Sequence, residues 1–269
     1  MDLLLLFKAL ILGLVEGATE FLPISSTGHL IIVGDLLNFN DDKGKVFEIV
    51  IQLGAILAVC WEFRAKLLST VCNVNSNKTS QGLVINLFIA FLPAAILGLL
   101  FHHQIKQYLF GPITVSIALI VGGFAILLIE KNAPKPITQN VDSVSRMQAL
   151  KIGLAQSLAL IPGVSRAGAT ILGGIVFGLN RQTSTEFSFF LAIPIMFAAT
   201  AFDLLSSWQL LAVADLPMFI VGFITAFISA LFVIKLMLRY VANHDFRPFA
   251  YYRIALGILV LLYFMLKTQ

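Results

Sequence analysis

Six apolar segments, each long enough to cross a bilayer, constrain this chain more than any other feature. They fall at 46–63, 83–101, 112–130, 186–206, 216–238 and 250–266. About 20 apolar residues in a helix span the hydrocarbon core of a membrane. Backbone polar groups at that depth must be bonded within the protein, so the expected fold is an all-α polytopic membrane protein. Composition agrees. Hydrophobic residues make up 59% and charged residues 12%, and mean hydropathy is +0.94. Soluble domains carry about 25% charged residues. The net charge of +4 is accounted for by basic cytoplasmic loops, so no nucleic-acid partner is read from it. Cys60 and Cys72 form no C-x-x-C pair. No linker divides the chain, and 1–269 reads as one membrane domain.

Three further apolar segments, 24–37, 150–161 and 164–179, are too short for a comfortable span. They belong to two hairpins, each broken at a proline, Pro23 and Pro162. The first carries a polar insert, "GATEFLPISSTGHL" at 17–30, between two greasy runs. Non-helical backbone in a membrane is tolerated only where it is buried in protein or lines a watery cavity. Both hairpins therefore read as re-entrant.

The hairpins are similar to each other. "LGLVEGATEFLPISSTGH" (12–29) aligns with "IGLAQSLALIPGVSRAGA" (152–169) with one gap. Gly13 pairs with Gly153, Glu16 with Gln156, Pro23 with Pro162 and Ser26 with Ser165. Downstream, Glu48 pairs with Glu186. Repeat 1 covers 1–130 and repeat 2 covers 150–269, each a re-entrant helical hairpin plus three transmembrane helices. Three is odd, so the second half enters from the opposite side, an inverted-topology repeat. The basic residues agree. Arg64, Lys66 and Lys78, then Lys131, Lys135 and Arg146, then Arg239 and Arg247 fall in alternate loops, with Arg181 after the second hairpin. In 38–45, Lys43 and Lys45 are offset by Asp41 and Asp42, and 207–215 has no basic residue. The basic side becomes the cytoplasm, which puts both termini and the entrance of the first hairpin outside.

Two hairpins entering from opposite faces meet in one pocket, lined by Pro23–Gly28 and Pro162–Gly168. Ser25 or Ser26, and Ser165, are placed to cap the helices that follow. Helix starts facing the pocket favour an anion. Arg166, costly at membrane depth unless it has a task, offers a planar fork suited to phosphate. Glu16 and Glu20 share one helix face and repel each other. A divalent cation or Arg166 would relieve them, or one could stay protonated as a general acid or base. His29 is the other group able to act as a base near neutral pH, or to accept a phosphoryl group. Glu48 and Glu186 are read as holding the hairpins in place. The acids and His29 lie on one hairpin and Arg166 on the other, which suits acid–base chemistry on an anion.

These motifs resemble a known family. "EGATE" with "FLPISSTGHL", followed much later by "PGVSRAGATI", is similar to the undecaprenyl-diphosphate phosphatase family linked to bacitracin resistance. The family's first motif is matched by Glu16, Glu20, Ser25, Ser26, Thr27, Gly28 and His29. Its second, PGxSRSxxT, is matched by Pro162, Gly163, Ser165, Arg166 and Thr170, with Ala167 in place of the second serine. The resemblance implies hydrolysis of a polyprenyl diphosphate lipid to the monophosphate carrier used in cell-wall synthesis. It also implies a divalent cation, Mg2+ or Ca2+, a location in the bacterial cytoplasmic (inner) membrane, and a site open to the periplasm. On that reading Glu16 and Glu20 hold the cation. Ser25, Thr27, Gly28, Gly163, Ser165, Arg166 and Thr170 bind phosphate. Ser26 attacks with His29 as base, or His29 itself attacks; the sequence leaves both open. Partners are the lipid substrate and membrane lipids; the sequence leaves open a homodimer with a second copy of the chain. The rival reading is a secondary transporter or lipid flippase with a midplane anion site.

Overall fold

A computed structural model describes residues 3–39, 42–207 and 213–267. Asp41 and most of loop 207–215 lie outside the described residues. Helices run in the order α1 (Leu3–Thr19), α2 (Ser26–Leu36), α3 (Asp42–Glu62), α4 (Arg64–Cys72), α5 (Lys78–Tyr108) and α6 (Pro112–Lys131). They continue as α7 (Arg146–Gln156), α8 (Arg166–Val176), α9 (Arg181–Ser207), α10 (Leu216–Val241) and α11 (Arg247–Lys267). The order of short and long helices thus runs twice: a pair of short helices, α1–α2 or α7–α8, and then the long ones.

Among the described residues, five helices are long and apolar enough to cross a membrane: α5, α6, α9, α10 and α11. The sixth expected span is α3, which bends by 74° into α4. Here the structure departs from the sequence reading, which made 64–82 a loop. The break falls where the apolar run gives way to Trp61, Glu62 and Arg64. Arg64 lies 4.9 Å from the centroid of the Trp61 ring and donates to the Trp61 carbonyl at 2.7 Å. Aromatic and basic side chains together favour a membrane–water boundary, and there the helix turns aside.

Helix packing crosses between the halves. α1 lies along α10, α7 along α5, α3 meets α9, and α6 meets α11. Small residues permit the close approaches. A Cβ on Gly13 would sit 2.5 Å from the Gly222 carbonyl oxygen of α10, and one on Gly153 would sit 2.4 Å from the Ala90 carbonyl oxygen of α5. The paired glycines of the two hairpins therefore do the same job, each against a helix of the other half. The main core packs Phe21, Ala167, Ile171, Phe189 and Ile234, with Phe21 edge-on to Phe189 at 5.5 Å.

The basic loops gather at one end of the bundle. Lys66 donates to Asp142 at 2.5 Å. Glu130 accepts from Arg181 and from the Phe246 amide, joining α6, the start of α9 and the loop before α11. At the opposite end Asp35 accepts from Tyr263 and Lys267, both at 2.6 Å.

Candidate active site

The two hairpin turns share one backbone feature. Ser25 and Ser165 both adopt positive φ, 68° and 75°, immediately before α2 and α8. Few non-glycine residues occupy this region, and such outliers cluster at functional sites. The matching caps place Ser25, rather than Ser26, opposite Ser165. The register is then ungapped from Gly13/Gly153 through Gly28/Gly168, and it sets Ser26 opposite Arg166. Each is the first residue of its helix. The sequence alignment slipped by one position because it matched the prolines, whereas the strained cap fixes the geometry.

At those first positions the chemistry converges. Ser26 Oγ donates to Glu20 Oε2 at 2.5 Å, a short bond of the charge-assisted kind. Arg166 crosses from the second hairpin to Glu20 Oε1 at 3.1 Å and donates to the Ser188 carbonyl at 3.2 Å. Its guanidinium lies over the Phe21 ring at 5.5 Å. The Glu20 and Arg166 side chains are 8% and 12% exposed, so their attraction is little screened. One carboxylate therefore ties a serine hydroxyl to a guanidinium in a nearly dry site.

His29 stands apart from this trio. Its Nδ1 lies 2.8 Å from the Ser25 carbonyl, which can only accept, so Nδ1 carries the proton. Nε2 then accepts from the Tyr252 hydroxyl at 2.7 Å, and the two rings stack with centroids 5.6 Å apart. The expectation that His29 is the base for Ser26 meets a different geometry, in which Glu20 is the base within reach.

The residues assigned to phosphate binding divide in two. Ser165 caps α8, its Oγ accepting from the Gly168 amide at 3.0 Å. Thr170 bonds back to the Arg166 carbonyl at 2.9 Å and meets the Ser188 hydroxyl at 2.5 Å. The Gly163 carbonyl accepts from Arg253 at 3.1 Å. A Cβ on Gly28 would sit 2.9 Å from Leu119 Cδ1. These residues shape and brace the turns. Ser25 accepts no hydrogen bond from the α2 backbone, unlike Ser165 in α8. The first amides of α2, at Thr27 and Gly28, are thereby left without a cap from Ser25. Ala167 is fully buried in the core, where PGxSRSxxT has its second serine.

Glu16 is 1% exposed, its Oε1 has no partner among the described residues, and the charge of Glu48 in α3 opposes its own. Glu186 accepts from Gln182 on its own helix at 3.1 Å. Among the described residues no three acid, histidine or cysteine side chains converge into a metal cage. The unpartnered Glu16 Oε1 fits a hard cation of the kind that takes one or two carboxylates and completes its shell with phosphate oxygens and water, with Glu20 as the second carboxylate once it shares its bonds to Ser26 and Arg166.

Two contributors escaped the sequence reading, Tyr252 and Arg253. Arg253 had a signal, an arginine within the apolar segment 250–266. Tyr252 had none.

Fold and site together define a polytopic helical membrane protein whose two broken hairpins enclose a carboxylate, a serine and an arginine. Bacitracin resistance protein BacA, as a family, matches residues 9–259, and the chain belongs to that family. An undecaprenyl-diphosphatase of Methylobacillus flagellatus is 66% identical over 269 residues, covering 98% of this chain and 100% of the relative. Proteins of the same name from Nitrosospira multiformis and Nitrosomonas europaea are 60% and 59% identical, each over 97% of this chain and 96% of the relative.

Proposed function

We propose that the protein is an undecaprenyl-diphosphatase. It hydrolyses undecaprenyl diphosphate to undecaprenyl phosphate and inorganic phosphate, recycling the lipid carrier for cell-wall synthesis and conferring bacitracin resistance. The observation that carries this reading is Glu20 bonded at once to Ser26 and Arg166. Ser26 Oγ attacks the terminal phosphorus and loses its proton to Glu20, and the anhydride bond to the lipid phosphate breaks. Water then cleaves the phosphoserine. Arg166 and the amides at the start of α2 hold the phosphoryl oxygens and stabilise the charge that develops on them. His29 as nucleophile is the less supported route, because both its ring nitrogens are engaged. Glu16 and Glu20 would hold Mg2+ or Ca2+, which supplies charge neutralisation on the diphosphate when bound.

The location that goes with this activity is the bacterial cytoplasmic membrane, with the site open to the outer face and both termini outside. The two halves, 1–130 and 150–269, are inverted repeats on this reading. Its support is the cross-packing of α1 on α10 and α7 on α5, together with the gathering of basic loops at one end. The homologues named above carry a hydrolase name, and the transporter reading gains no observation of its own.

The test is phosphate release from undecaprenyl diphosphate by purified protein in detergent, with and without EDTA, beside Ser26→Ala, Glu20→Gln and Arg166→Ala. Release that EDTA abolishes and all three variants lose is the expected outcome. Undiminished activity in Ser26→Ala overturns the nucleophile, and no release from folded wild type overturns the function.

A further inference from the structure

Arg253 of α11 is 1% exposed, and its two terminal nitrogens donate only to backbone carbonyls, while among the described residues its Nε has no partner. Nη1 donates to Pro23 at 3.1 Å in the first turn. Nη2 donates to Gly163 at 3.1 Å and Val164 at 2.9 Å in the second turn, and to Ala118 of α6 at 3.3 Å. Burying a lone guanidinium among apolar helices is costly unless it answers another need. The need is visible here. Pro23, Gly163 and Val164 lie outside the helical ladder, the first two buried and the third half-buried, so their carbonyls need partners within the protein. A single planar group meets both turns, which a compact ammonium on a flexible stem is poorly shaped to do.

We infer that Arg253 is a positioning residue for the hydrolysis. By bonding both hairpin turns at once it sets the separation between Ser26 and Glu20 on one hairpin and Arg166 on the other. Pro23 is three residues from Ser26, and Val164 is two from Arg166, so a shift at either carbonyl passes directly to a reacting group. α6 leaves room for the clamp. A Cβ on Gly122 would sit 2.1 Å from Arg253 Nη2 and 2.5 Å from Cζ. This role rests on the hydrolase reading, but the clamp is a structural claim that can be read without activity.

Two variants test it from different directions. Arg253→Lys keeps the charge and removes the fork, while Gly122→Ala keeps the arginine and pushes its guanidinium aside. For both, kcat on undecaprenyl diphosphate is expected to fall about a hundredfold, the cost of a misplacement near 1 Å, with KM changed less than about threefold. Backbone hydrogen exchange by mass spectrometry, in the same detergent, is expected to quicken in residues 20–25 and 161–165 together, with α5 and α10 unchanged. Exchange in one turn alone, or in neither, overturns the clamp. Faster exchange in both turns with wild-type kcat overturns the positioning role. Inactive wild type overturns the proposed function, and the exchange result still decides the clamp.

Discussion

His29 has a different neighbour in the fold from the one the sequence suggests. Its place three residues after Ser26 suggested a base for that hydroxyl, yet three residues along a helix turn the ring toward Tyr252 and the Ser25 carbonyl instead. Glu20, six residues before Ser26, reaches the hydroxyl because the chain folds back at Pro23. Tyr252 fixes the imidazole by one hydrogen bond and a stacked ring. Tyr252→Phe keeps the ring and removes the bond. A neutral hydrogen bond contributes about 1 kcal/mol, and His29 takes no step in the proposed reaction, so kcat/KM is expected to fall by no more than roughly fivefold. Steady-state phosphate release against His29→Ala checks this. A loss in Tyr252→Phe as deep as in His29→Ala means that the phenol does more than hold the ring.

Among the elements, the two hairpin helices α2 and α8 begin alike and are capped differently. Ser165 caps α8 through the Gly168 amide, and Ser25 leaves the start of α2 open. Ser165→Ala therefore removes a cap worth about 1 kcal/mol and is expected to lower the melting temperature by about 3 °C. Ser25→Ala removes no cap bond and is expected to shift it less; thermal unfolding in detergent compares the two. The asymmetry also marks where sequence reasoning ran out. The hairpins, their prolines and the motif residues were legible because apolar length and special residues are local signals. The pairing of Ser25 with Ser165 was not, since a positive φ at serine leaves no compositional trace. Nor was the 74° bend into α4, where a helix continues past the end of its apolar run. Of the α11 contributors, an arginine in an apolar span could be noticed, but its bonds to two distant turns depend on how four helices pack.

At the scale of the whole molecule, sidedness turns on basic residues, some of which hold acidic partners. Lys66 is held by Asp142 and Arg181 by Glu130, yet such acids subtract little from the count of basic residues that orients a membrane protein. Their contacts do something else: they bind the basic loops to one another, so those loops share one end of the bundle whatever its orientation. These basic residues, with Lys131 and Lys135 between α6 and α7, then orient the whole end. A consequence can be measured in intact cells. With Cys60 and Cys72 replaced by serine, cysteines are placed singly at Phe110, between α5 and α6, and at Lys135, both exposed. A membrane-impermeant maleimide is expected to label Phe110→Cys in intact cells and Lys135→Cys only after permeabilisation. The reverse pattern would turn the molecule over, place the entrance of the first hairpin on the cytoplasmic side, and require the lipid diphosphate to be hydrolysed there.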